Sequence, residues 1–543
     1  MSPCLITASL SIIAIFTPFP WLIRTTKNGL FWLYLWQLKE YHLGRFLAHF
    51  QTEKGKKIFI NELFFLKVVL AATIFFLVFS GILRQQSSPL FPLFNYFYQI
   101  TAVIVFFIYL FEAFKSVRDF LKKQLRKPVF TKKALFLAFV VGCLELTLLL
   151  TLFSSPFLNI LNSISLLPFP IFLAIPFILL FFDILTPLIV SLIVLLFQPL
   201  TVIGRTIIIN KAKKKLAGFK NLTVIGITGS YGKTSVKEIL FTTLSDKFKT
   251  IRTPEHKNSE MGIAETILND LKPEHQVFIC EMGAYCKGGI KLLCDIVKPK
   301  IGILTGINEQ HLATFGSQEN IIKTKFELIE ALPSDGIAFL NGNNKYCKEL
   351  YEKIKIKKFL YGENVKQRGM ENIEGAKIVA KELGMTEEEI LKSCEKIKNN
   401  LLGIKIKKGA NNLTILDSTY SANPDGVLAD LEYLQTHQGK RVIIMPCLIE
   451  LGSSAKEVHQ RIGKKIGEVC DLAIITTEEF FENLKKSAIE SGMDEGSILF
   501  MENPVEIIKK IKESVRGRAS DTFGKNVLLE SRVPKEVIES LSD

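Results

Sequence analysis

Hydrophobic positions along the 543-residue chain follow two regimes that meet near residue 220. Before that point, Leu5 to Ile23, Leu63 to Leu83, Tyr96 to Phe111 and Ala134 to Phe153 are apolar runs. Each approaches the ~20 residues a helix needs to cross a bilayer. A fifth apolar stretch, Leu166 to Leu200, is broken by Pro170, Pro176, Asp183 and Pro187 and reads as one kinked helix or two short ones. After residue 220 the apolar runs are short: LTVIGIT, QVFICEMG, IGILTGIN, IAFLNGN, LTILDS, RVIIMPC, LAIITT and NVLLE, with amphipathic helical stretches between them. Strands that alternate with helices predict an α/β fold with mostly parallel sheets, whose functional residues gather just past the strand C-termini.

Loop charge gives the first half a direction. The segment from Arg24 to Glu62 holds seven Lys and Arg and that from Lys115 to Lys133 holds eight, against one in Arg84 to Asn95 and none in Ser154 to Ser165. Basic loops stay on the cytoplasmic side. With those two loops inside, one crossing by the fifth stretch delivers Arg205 and the KAKKK run ending at Lys215 to the cytoplasm. The expectation is therefore five spans, or five plus a re-entrant turn, in a multi-pass protein of the cytoplasmic membrane with its C-terminal part cytoplasmic. The segment GLFWLYLWQLKEYHLGRFLAHF, carrying Trp32, Trp36 and Tyr41 among charges, predicts an interfacial helix on the inner leaflet. Lys67 is expected to snorkel from its helix end. Glu145 and Asp183 lie deep, where they serve either a substrate or ion or bond helix to helix.

The composition fits this division. Apolar residues make up 48% of the chain and mean hydropathy is +0.26, which argues against disorder and against a wholly soluble protein. The formal charge of +15 would suit a nucleic-acid binder, yet 23 Lys and Arg against 7 Asp and Glu lie at or before Lys220, leaving 45 against 46 beyond it. The excess belongs to membrane loops, so a bilayer partner is expected and no nucleic acid. Nine cysteines without a CxxC pair suit neither a disulfide scaffold nor a zinc cage.

The first strand of the second half runs into GITGSYGKTSVKEIL. Gly229 and Gly232 let backbone N–H groups close around phosphate oxygens, with Ser230 and Ser235 beside them. The helix start favours negative charge, Lys233 reaches the outer phosphates and Thr234 can ligate Mg2+. The spacing is GxxGxxGKT, with Ile227 where the usual phosphate loop has glycine. Glu281, ending the next strand, is a second oxygen ligand for Mg2+. His311 on a loop after a strand can join a further Mg2+.

These motifs resemble the Mur ligase family, ATP-dependent amide ligases of peptidoglycan assembly. The likeness runs through EMGAY with Glu281, TGINEQHLATFGS with Asn308 and His311, KTKFEL with Lys325, LNGNN with Asn341 and Asn344, LDSTYSANPDG, and MPCLIELG followed by His459. It implies ATP and Mg2+ as cofactors, Lys233, Lys325 and His311 as catalytic residues, and carbamylation of Lys325 beside the second Mg2+. It places Asn308, Asn344 and Asp417 at the nucleotide, Thr253 and Asn258 near the acyl substrate, and Ser421, Asn423 and Pro424 near the incoming amine. The implied substrates are a cell-wall peptide precursor, UDP-linked or lipid-linked, and an amino acid or dipeptide amine such as D-Ala-D-Ala; the alternatives are a ligase that extends a different peptide or polyglutamate-like chain and a nucleotide-binding membrane scaffold without ligation. The implied fold is multi-domain: a helical transmembrane domain over 1–205, a P-loop ATPase α/β domain over 206–402, and a Rossmann-like α/β domain over 403–543. Four features depart from the family: a central domain trimmed after LNGNN, Ile404 near the place of an expected arginine, Pro446 and Cys447 before the ELG tripeptide, and membrane helices where a soluble UDP-sugar domain is expected.

Overall fold

In the computed structural model the described residues are 16–39, 41, 43–50, 53–59, 61–83, 91–154, 175–255, 257–363, 365, 369–397, 404–409, 413–419, 423–515 and 525–542. The chain separates into two compact units, Met1–Ile203 and Gly204–Asp543.

The first unit consists of helices, among them Pro18–Leu38, Glu62–Leu83, Phe91–Leu121, Lys132–Leu152 and Ile175–Leu196. Among the described residues, Gln99–Leu121, Lys132–Leu152 and Ile175–Ala217 are long and apolar enough to cross a membrane. They make this a multi-pass region, and Phe75, Phe107, Phe139 and Leu192 face outward as lipid-facing side chains do. Residues 5–15 of the first expected span, and Pro170 of the fifth stretch, lie outside the described residues.

Two expectations are corrected here. The Trp32 to Tyr41 region does not lie on a surface as an interfacial helix. Its first part is the end of the helix Pro18–Leu38, with Trp32 3% and Trp36 0% exposed. The physical reason is that polar side chains along the helix Pro18–Leu38 have partners on neighbouring helices. Trp21 Nε1 donates to the Leu179 carbonyl at 3.0 Å, Trp36 Nε1 to Ser191 Oγ at 3.0 Å, and Thr25 Oγ1 to Glu145 Oε1 at 3.3 Å. Nor does Lys67 snorkel: it is 2% exposed, and its Nζ donates to Glu112 and, at 2.6 Å, to Asp183. Two carboxylates from other helices bond the ammonium directly and so compensate its charge within the bundle.

The second unit holds two six-stranded sheets. The first contains β1 (Thr223–Thr228), β2 (Thr250–Arg252), β3 (Val277–Glu281), β4 (Ile301–Leu304), β5 (Ile337–Asn341) and β6 (Lys357–Tyr361), all parallel, in the order β2-β3-β1-β4-β5-β6. Side chains alternate between its faces. Ile225, Ile227, Ile279 and Ile303 pack with Val236, Ile239 and Leu240 of the helix Lys233–Leu244, whereas Val224, Phe278, Cys280 and Leu304 pack with Ile290 and Leu328. Each such side chain contributes ~1.5–3 kcal/mol when fully buried. The second sheet contains β7 (Lys405–Gly409), β8 (Leu413–Ser418), β9 (Lys440–Met445), β10 (Leu472–Ile475), β11 (Ile498–Phe500) and β12 (Lys525–Glu530), ordered β11-β10-β9-β12-β8-β7. Only β7 runs antiparallel.

Successive strands leave β1 toward β3 on one side and β4 on the other, so the first sheet reverses direction at its centre. The register sets Ile227 opposite Glu281 and Thr228 opposite Leu304. The loops after β1, β3 and β4 therefore emerge together at one edge, where open α/β sheets hold ligands.

Candidate active site

Gly232, with φ 77°, caps the helix Lys233–Leu244 in the left-handed region that glycine enters without steric cost. A Cβ on Gly229 would stand 2.1 Å from Thr305 Oγ1, so only glycine lets this loop lie against the one after β4. The two loops are bonded together: Ser230 N–H donates to the Gly306 carbonyl at 2.7 Å, Asn308 N–H to Ser230 Oγ at 3.2 Å, and Thr305 Oγ1 to the Tyr231 carbonyl.

Lys233 curls back over the loop, its Nζ donating to the Gly229 carbonyl at 2.7 Å and to that of Ser230 at 3.3 Å. Burial lowers its pKa while Glu281 raises it, with a net lowering. Thr234 Oγ1 donates to Glu281 Oε2 at 3.0 Å, Asn258 Nδ2 donates to Oε1 at 3.1 Å, and Lys237 Nζ lies 3.1 Å from Oε2. Burial pushes the Glu281 carboxyl up, but Lys237, Lys233 and the Asn258 bond together hold it below its ordinary value. Thr253 Oγ1 accepts from the Glu281 N–H at 3.0 Å and thus braces the carboxylate from behind.

Lys325, on the helix Gln318–Glu330, is 3% exposed. Burial, helped by the charge of Lys233, pulls its ammonium down to about 7. His311, at φ 67°, sets Nδ1 2.5 Å from Glu450 Oε2 and its ring edge-on to Tyr285. Burial lowers its pKa even though Glu450 opposes the shift.

From the second sheet, Asn423 and Asp425 reach the same edge. Asn308 Nδ2 donates to Asn423 Oδ1 at 2.9 Å and to Asp425 Oδ2 at 3.1 Å. Asn423 also caps the helix Pro424–Gln435, where Pro424 takes the first position that needs no N–H. Asn344 Nδ2 donates to Tyr231 OH at 3.2 Å and to the Ile307 carbonyl at 2.9 Å.

Gly229, Ser230, Gly232, Lys233, Thr234, Asn258, Glu281, Asn308, His311, Lys325, Asn344 and Asn423 thus gather around one edge. Ser235 begins the same helix without a side-chain bond to the cluster among the described residues. Asp417 stays within its own sheet, bonded to Lys407 Nζ at 2.8 Å and to Thr419 Oγ1 at 2.6 Å. Ser421 lies outside the described residues. Sequence reasoning missed Tyr231, Lys237, Asp425 and Glu450. Lys237 was visible as the i+4 partner of Lys233 on one helix face, whereas Glu450 meets His311 only through tertiary contact. Among the described residues no three His, Cys, Asp or Glu side chains converge on one point that could hold a metal.

The fold and site define a two-sheet α/β protein whose glycine-rich strand-to-helix loop faces a lysine, histidine and carboxylate cluster. Two family models match it, the Mur ligase middle domain over residues 227–412 and the Mur ligase, glutamate ligase domain over 404–525, together more than half of the chain. The chain belongs to the Mur ligase family. It is similar to UDP-N-acetylmuramoyl-tripeptide--D-alanyl-D-alanine ligases: the Synechocystis protein is 29% identical over 45% of this chain and 59% of its own length. The Escherichia coli protein is 27% identical over 44% and 61%. This chain thus spans about three fifths of the curated relatives it matches. Crystal structures of MurF from Acinetobacter baumannii (TM-score 0.56, 21% identity, 62% of this chain and 81% of that one) and of MurF ligase from Thermotoga maritima in complex with ADP (0.53, 24%, 62% and 83%) share the fold.

Proposed function

We propose that this protein is a membrane-anchored, ATP- and Mg2+-dependent amide ligase of cell-wall precursor synthesis. The observation that carries the proposal is the convergence of Lys233, the Thr234–Glu281 pair, the buried Lys325 and the half-buried His311 at the edge that Asn423 and Asp425 of the second sheet also reach.

The residues present fit a nucleotide and a metal. The loop at Gly229 leaves no room for a Cβ and runs into the start of the helix Lys233–Leu244, where anions are favoured, and Lys233 hydrogen-bonds only carbonyls that a phosphate would outcompete. One hydroxyl and one carboxylate, Thr234 and Glu281, suit Mg2+, which fills its remaining positions with phosphate and water oxygens. Bound there, Mg2+ would neutralise phosphate charge and make the outer phosphorus electrophilic.

A peptide carboxylate oxygen attacks that phosphorus as its bond to the bridging oxygen breaks, so ADP leaves and the carboxylate becomes an acyl phosphate. An amine then attacks the carbonyl carbon, and the phosphate leaves with the bond electrons. Lys233 stabilises negative charge on the transferring group, which is where such sites gain most of their rate. Lys325, poised near neutrality, is available as a free amine to add CO2, and the resulting carbamate would give His311 an anionic neighbour. Asn423 and Pro424 would border the amine and Asn308 and Asn344 the nucleotide, while Asp417 is engaged by Lys407 and Thr419 of its own sheet. The family likeness makes D-Ala-D-Ala the first amine to test and a UDP-linked or lipid-linked peptide the acyl substrate. The basic loops would place the catalytic half in the cytoplasm, after five spans, with domains divided near residues 205 and 402.

Release of ADP by the purified full-length protein tests the reading. It should require both a peptide carboxylate and an amine. Turnover independent of the amine would instead indicate an ATPase.

A further inference from the structure

The membrane unit holds a cavity of about 320 Å3 that the ligase chemistry does not use. Asn61, Gln124 and Arg126 bound it from the segments with the basic loops, and it reaches inward to Asp183 and Pro187 on the helix Ile175–Leu196. Ionisable groups at such depth are expensive, so helix bundles keep them where they serve a ligand or pathway.

Its walls divide by chemistry. Arg24, Lys27, Lys67 and Arg126 oppose Glu112, Asp119 and Asp183, one positive charge in excess. The carboxylates are engaged from within: Arg24 Nε lies 2.8 Å from Glu112, Lys27 Nζ 2.8 Å from Asp119, and Lys67 Nζ 2.6 Å from Asp183, which Asn28 also meets at 3.1 Å. The cations keep donors in reserve. Among the described residues Arg24 meets Glu112 through Nε alone, Lys27 spends one N–H, and Arg126 makes no ion pair. The remaining wall is apolar, with Phe31, Trp32, Leu63 and Phe64.

We propose that this cavity binds the phosphate of a lipid headgroup, with the lipid chain along the apolar wall. Cations from separate segments converge as a tetrahedral, many-oxygened anion requires, whereas a carboxylate would be satisfied by one arginine. The excess of one positive charge matches one phosphate ester. The end of the bundle that carries the basic loops is the end at which headgroups of the inner leaflet lie. The proposal concerns the membrane unit alone and stands or falls without the ligase reading.

All three tryptophans of the chain, Trp21, Trp32 and Trp36, lie on the helix Pro18–Leu38, and Trp32 lines the cavity, so the fluorescence of the intact protein reports on this site. The full-length protein in neutral-lipid nanodiscs is titrated with a polyprenyl phosphate and with phosphatidylglycerol. The matching polyprenol, a fatty acid and inorganic phosphate serve as controls. The expected result is a saturable change with a phosphate lipid and none with polyprenol. Arg126→Gln, at an exposed side chain without an ion pair among the described residues, should leave folding intact and weaken binding about ten-fold, as should Lys27→Gln. The proposal is overturned if polyprenol or the fatty acid titrates equally, if inorganic phosphate alone binds as well as the lipid, or if both variants bind like the wild type.

Discussion

Lys233 and Lys325 are both lysines at the mouth of one sheet, yet their surroundings give them different tasks. Lys233 bonds only to carbonyls of its own loop, so its removal breaks nothing in the core. Lys233→Ala should abolish ADP release and leave the melting temperature within about 2 °C of wild type, a shift worth under ~0.5 kcal/mol. Turnover within a few-fold of wild type would remove the phosphate site. Glu281 is held ionised by two lysines, so Glu281→Gln should shift the Mg2+ titration to higher concentration, since an amide is a poorer ligand for a hard cation. Lys325, at about 7 against an ordinary 10.5, is largely neutral at mildly alkaline pH. Activity should rise as pH passes through about 7 and respond to added bicarbonate, a response that Lys325→Arg loses. Because the folded-state value is depressed, the unfolded chain binds the extra proton between about 7 and 10.5, so this group makes stability rise with pH across that window. Calorimetry that finds Lys325→Met flattening this slope would bear out the burial effect. An unchanged slope would contradict it.

At the scale of elements, what the sequence revealed depended on strand length and burial. The eight apolar runs after residue 220 are β1, β3, β4, β5, β8, β9, β10 and β12. Four strands escaped notice for physical reasons. The three-residue β2 and β11 are too short for a periodic signal. The edge strands β6 and β7 are lysine-rich, as solvent-facing edges are, and so read as polar. The phosphate-loop element was legible because glycine, lysine and hydroxyl follow one another in sequence. The link from His311 to Glu450 was not, because it joins residues on different sheets. The helix Pro18–Leu38 was misread because tryptophan among charges suits a membrane surface as well as a polar bundle core, and only the partners Asp183, Glu145 and Ser191 on other helices distinguish the two. Gly229→Ala tests the loop as a unit. Its Cβ would meet Thr305, so the loop must shift, at a cost of ~1–3 kcal/mol in stability and a larger loss in nucleotide affinity. Calorimetry and nucleotide titration on one sample separate the two effects.

At the scale of the whole molecule, one chain carries a multi-pass membrane region and a Mur ligase fold. The five-span orientation predicts that a cysteine placed between residues 84 and 95 is labelled from outside the cell, and one beside Lys213 only after permeabilisation. The reverse pattern would put the glycine loop where ATP is scarce. Legibility at this scale was uneven. Charge segregation at Lys220 divided the chain, but the ion-paired cluster of Arg24, Lys67, Glu112 and Asp183 could not be read from loop counts, because each partner lies on a different span of sequence. In the proposed reaction a peptide carboxylate is activated by phosphorylation before an amine displaces the phosphate. The most direct measurement follows a heavy-oxygen label placed in that carboxylate. Attack of a labelled oxygen on the outer phosphorus of ATP, then expulsion by the amine, carries one labelled oxygen into inorganic phosphate, so labelled phosphate should appear in step with amide formation. Amide formed with unlabelled phosphate would contradict it.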